Sequence, residues 1–144
     1  MSTTVTYSND VERIFPKIVR LTEATTLSAN DSGTIYFLDA ATGTDVTLPA
    51  LVDGLNFKFV VTKAFATSNW VIVSNEGDNI NGVIADMGAT PAGVIAGAED
   101  QINFVASAET LGDFITLIAD ATNSQWIVSG MCGANGGITA TDPA

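Results

Sequence analysis

Asn56–Lys63 reads NFKFVVTK, and its alternation decides the fold. Phe57, Phe59 and Val61 fall on one side of an extended chain, while Lys58, Val60 and Thr62 fall on the other. Working outward, the same period of two recurs in Gly33–Asp39 (GTIYFLD), Thr44–Leu48, Trp70–Ser74, Gln101–Ala106, Asp113–Asp120 and Gln125–Met131. The spacers are Asp-Ser-Gly, Thr-Gly-Thr, Asp-Gly, Glu-Gly-Asp-Asn and Thr-Asn-Ser, residue types that favour turns. The pattern predicts a compact all-β domain over residues 26–132, an antiparallel, jelly-roll-like sandwich or barrel of roughly seven to ten strands. Trp70 and Trp126 each open an apolar strand, which makes them core anchors before they are sugar platforms.

The flanks follow other rules. In residues 1–25, Val11, Ile14, Phe15 and Ile18 are spaced as one helical face behind a possible Asp10 cap, but Pro16 interrupts it. A short helical turn ending near Phe15, followed by an extended IVRLTEA segment, reconciles these signals. This N-terminal stretch is either a first strand of the domain or an extended arm that buries its apolar residues on a neighbouring chain. Its contact candidates are Val11, Arg13, Ile14, Phe15, Lys17, Ile18 and Arg20, the one basic, apolar and non-alternating stretch. Asp86–Asp100 (DMGATPAGVIAGAED) has too little side-chain volume for a core strand and reads as a long loop. Residues 133–144 (GANGGITATDPA) read as a flexible tail.

Composition narrows the chemistry. The 144 residues suit one domain, 47% are apolar, and only 15% are charged. Sixteen acids against five bases give a net charge of −11. All five bases precede residue 64, so residues 1–63 carry −2 and residues 64–144 carry −9. Such a surface repels a nucleic-acid backbone, an anionic membrane and copies of itself unless it is paired with something basic. The chain has no histidine, which excludes Ser-His-Asp and Cys-His catalysis and imidazole metal sites. Its single cysteine, Cys132, lacks an activating base and reads as a small buried residue closing the last strand. No apolar run is long enough to span a membrane, and the N-terminus lacks the pattern of a secretory signal, so cytoplasmic synthesis is expected.

Two acidic groupings are candidates for chemistry. Asn75–Gly82 (NEGDNING) gathers oxygen donors, with Glu76 and Asp78 as candidate calcium ligands. It lacks the spacing of an EF-hand and reads more simply as a turn, so no metal or other cofactor is expected. Glu99, Asp100 and Asp113 could be imagined as a hydrolytic carboxylate pair. Asx turns account for them more simply, and no enzymatic activity is expected.

The strings TLSANDSGTIYFLDAATGTDVTLPA (26–50), GLNFKFVVTKA (54–64), NWVIVSNEGDNINGV (69–83) and GDFITLIADATNSQWIVSG (112–130) resemble small β-rich virion proteins of tailed bacteriophages. The likeness is to head decoration, or cement, proteins, including those of marine and cyanobacterial phages. Its most distinctive pieces are Leu38-Asp39, Gly43, Val46–Ala50 and the closing Trp126–Gly130. The resemblance implies a structural protein on the outer capsid surface, a homotrimer there, partnered by the major capsid protein and steadying the shell against DNA pressure. The arm would then contact the capsid or an adjacent subunit. Similar strings occur in tail-fibre modules, and the alternative is a receptor-binding β module that recognises a host surface glycan.

Overall fold

The computed structural model describes residues 3–6, 12–88 and 93–143. The expected all-β architecture is the one found: two sheets packed face to face around a shared core. Fourteen strands are described. A hairpin, β1 (Thr3–Thr6) with β2 (Glu12–Phe15), comes first. Next come β3 (Ile18–Leu21), β4 (Thr25–Thr26), β5 (Ile35–Leu38), β6 (Asp45–Thr47), β7 (Asn56–Val61) and β8 (Trp70–Val73). The rest are β9 (Asn79–Asp86), β10 (Val94–Glu99), β11 (Gln101–Phe104), β12 (Phe114–Asp120), β13 (Gln125–Cys132) and β14 (Ile138–Thr141).

One sheet runs β10-β9-β13-β12-β7-β5-β3 and the other β14-β11-β8-β6-β4. From β3 to β8 the chain visits the two sheets alternately. Each strand therefore returns beside its predecessor in the same direction, and β3, β5 and β7 pair in parallel, as do β4, β6 and β8. Parallel neighbours need a crossover connection, and here a strand of the opposite sheet supplies it. β9 and β13 are also parallel, whereas β7, β12 and β13 pair antiparallel. The sheets are thus mixed rather than antiparallel throughout.

The alternation in Asn56–Lys63 acts as expected. Phe57, Phe59 and Val61 are buried, with Tyr36 stacked on Phe59 at 5.3 Å and Phe57 tilted against Trp126 at 5.9 Å between ring centres. Trp70 and Trp126 are both fully buried. From the smaller sheet, Val46, Ile72, Ile102, Phe104 and Ile138 close the core.

Three local expectations are corrected. Glu12–Phe15 is a strand, not a helical turn, because the hairpin with Thr3–Thr6 supplies main-chain partners that a proline-interrupted helix would lack. Val11 and Asp10 lie outside the described residues. Asp86–Asp100 is not all loop, since Val94–Glu99 pairs with β9, and small side chains suffice at a sheet edge where only Ala96 of that strand is known to be buried. The tail is not loose through residue 141: Ile138–Thr141 pairs with β11 and Ile138 is fully buried.

Candidate functional site

The inner face of the larger sheet is spent on the core, so its outer face is what remains for contact. Strand register places the outward side chains in rows. One row crosses Val83, Ser129, Thr116, Lys58, Ile35 and Ile18. The next holds Met131, Phe114, Val60, Phe37 and Arg20, and a third Ile127 and Ile118. Several of these apolar groups stand in solvent: Val83 is 61% exposed, Ile118 54%, Ile18 45%, Met131 43% and Ile127 40%. These apolar groups, interrupted by Ser129, Thr116 and Lys58, make the face a candidate contact surface.

The polar groups on this face already have partners within the chain. The Thr116 and Ser129 hydroxyls lie 2.7 Å apart and share a hydrogen bond. The Lys58 ammonium sits 4.9 Å from the centre of the Phe114 ring. The Arg20 guanidinium lies 5.1 Å from the centre of the Phe37 ring, and its Nη1 is 3.6 Å from Asp39 Oδ1. Both are cation–π arrangements, in which ring faces attract the charge. At one end of the face, the Asn81 amide donates to Gln125 at 2.9 Å. Nearby, hydrogen bonds from Asn123 and Gln125 hold the exposed Asp120 carboxyl below the ordinary carboxylate range.

The face is not flat. In line with Ile118 and Asn56, strand β5 would be continued by Gly33, and Gly54 precedes β7. A Cβ added at either glycine would meet nothing within 4 Å. The result is an open groove of about 500 Å³ whose walls include Pro16, Ile35, Lys58 and Ile118. A protruding apolar side chain would fit there.

The arm candidates divide around this face. Ile18 and Arg20 are on β3, the sheet's outer strand, and both face outward. Lys17 is exposed in the link before β3, and Phe15, 48% exposed, closes β2. The main chains of Arg13 and Ile14 pair with Val5 and Thr4. Val11 falls outside the described residues.

The acidic groupings do other work. Ser74 Oγ donates to the Asp78 carbonyl at 2.6 Å, which fixes the turn between β8 and β9, and partial burial raises the Asp78 carboxyl. Among the described residues no three acidic or thiol side chains are grouped to hold a metal ion. Asp113 is buried, and its two oxygens accept from the Thr110 and Gly133 N–H groups. It is thereby committed to loop structure, and it lines a different cavity from Asp100. Burial, reinforced by Asp86 and Asp113, raises the Cys132 thiol.

Sequence reasoning missed most of the outer face. The signal was present in Phe114–Ile118 (FITLI) and Trp126–Met131, where Phe114, Ile118, Ile127 and Met131 put apolar residues at outward positions around the polar Thr116 and Ser129. A one-sided sheet alternates apolar with polar, so apolar residues on both faces point to a second covered surface. No protein-family model, curated protein or solved structure matches this chain.

Proposed function

We propose that this chain is a structural virion protein, without enzymatic activity or cofactor, that decorates and cements the outer surface of a tailed-phage head. The observation that supports it best is the exposed apolar face built by Ile18, Val83, Ile118, Ile127 and Met131 on a chain of net charge −11. A protein that works by being covered needs such a face, and its acidic remainder keeps it off nucleic acid and anionic surfaces. In this reading the partners are the major capsid protein and other copies of the chain, assembled as a homotrimer on the shell. The hairpin β1–β2 and its link carry Arg13, Ile14, Phe15 and Lys17 to the capsid or an adjacent subunit. Contacts of modest strength, repeated over a lattice, sum to a large stabilisation of the shell against internal pressure.

Immunogold labelling of intact virions from the source tests this directly. Gold spread regularly over the head is the expected result. Gold confined to the tail tip would favour the receptor-binding reading instead, and unlabelled particles would remove the virion assignment altogether.

A further inference from the structure

We propose that the outer face of the seven-stranded sheet is a self-association surface, and that a second copy of this chain covers it. The inference rests on the structural reading above, in which both the shell and other copies of the chain are partners, and assigns this face to the contact between copies.

The six strands from β9 to β3 lie about 4.8 Å apart and run about six residues at about 3.3 Å each, so the face spans roughly 29 by 20 Å. That footprint of roughly 580 Å² is somewhat below the ~800 Å² that each partner contributes to a standard stable interface and is of the same order. A short peptide would leave much of it wet, whereas another sheet of the same size covers it.

Among the described residues the charged groups on the face are Lys58 and Arg20, with Asp120 at the end of β12. Lys58 lies against Phe114, and Arg20 against Phe37 and Asp39. The Thr116–Ser129 hydroxyl pair is likewise closed on itself. Arg20 therefore carries its own carboxylate, and Lys58, which has only the Phe114 ring, must stay at the wet rim of the contact when a second copy covers the apolar rows. The carboxylates flanking it, Asp39 and Asp120, sit at strand ends rather than among the apolar rows. Elsewhere the acidic surface drives copies apart. An apolar contact opposed by long-range repulsion should tighten as salt rises, the reverse of an interface held by ion pairs.

Sedimentation of the full chain tests this. Wild-type protein is expected to self-associate, roughly tenfold more tightly at about 0.5 M than at about 0.05 M salt. Ile118→Asp and Val83→Asp, both at well-exposed positions, should each weaken association at least tenfold while thermal unfolding stays unchanged. Thr26→Asp, which adds the same charge on the smaller sheet, should leave association within about twofold of wild type. A protein that is monomeric at every salt concentration, or face variants that associate like wild type, would overturn the proposal. The two readings fail separately. If wild type is monomeric and Ile118→Asp loses binding to phage heads, the face belongs to the shell and the decoration reading survives. If the chain pairs through this face but never labels virions, the self-association stands and the decoration reading falls.

Discussion

Asp86 holds Gly136 across fifty residues of chain, its Oδ2 accepting the glycine N–H at 2.9 Å while its Oδ1 accepts from Gly88 at the same distance. The carboxylate is only 2% exposed. It pins the loop that delivers Ile138 to the core, so the end of β9 and the start of β14 form one unit. Asp86→Ala leaves two N–H groups without their charged acceptor and should cost about 2–4 kcal/mol. Urea unfolding would read the loss, and hydrogen exchange should accelerate first at Gly136 and along β14. A midpoint equal to wild type would mean that the loop holds without the carboxylate.

Gly82 stands opposite Val128 in the parallel pairing of β9 and β13, at a φ of +148°. A Cβ there would overlap the Val128 carbonyl oxygen. Gly82→Ala is therefore expected to destabilise the protein by about 2–4 kcal/mol, combining backbone strain with overpacking. Gly77, also at positive φ, has open space around the added methyl, and Gly77→Ala should cost only about 1–2 kcal/mol. Thermal melts of the two variants separate clash from conformation, and equal losses would refute the overlap.

The inward half of the fold was legible because burial imposes a period of two, and Tyr36, Phe57, Phe59, Trp70 and Trp126 all obey it. Periodicity says which way a side chain points, not which strand lies beside it. The parallel pairing of β5 with β7, with all of β6 lying between them in sequence, therefore could not be read from local pattern. β10 and β14 were hidden for a different reason. Gly, Ala and Thr give weak amplitude to any alternation, and the only strong mark in the tail was Ile138. Most of the outer face was missed because two-sided apolar strands look like unusually good core strands until the partner sheet is known to cover one side only.

Tyr36 is packed between Phe57 and Phe59, and burial, with a smaller contribution from Asp31, pushes its phenol up to about 12. The unfolded chain ionises this group near 10, so between pH 10 and about 12 the unfolded state holds fewer protons than the folded one. The sign follows: the stability tied to the neutral phenol is fully present below pH 10 and is lost as pH rises toward 12, at about 1.4 kcal/mol per unit. Denaturation midpoints taken across this range should fall with pH in wild type. In Tyr36→Phe that part of the slope should vanish. A slope that persists unchanged in the variant would assign it to other groups.

Leu21 on β3 is 4% exposed, and β3 pairs with β5 along its whole length, so removing residues 2–20 would strip an edge strand as well as the hairpin. Removing residues 2–15 takes only β1, β2 and the residues between them. That truncation is expected to leave the two sheets intact, with an unfolding midpoint close to that of the full chain, because Leu21 is the first core residue among those whose burial is described. On the decoration reading it should also abolish binding to phage heads, since the hairpin and its Arg13, Ile14 and Phe15 would be gone. Both properties need measuring on the same preparation: circular dichroism through thermal unfolding, and co-sedimentation with heads. Full occupancy by a well-folded truncated protein would remove the arm from the contact. It would leave the outer sheet face as the surface to test next, because Ile18 and Arg20 remain on it.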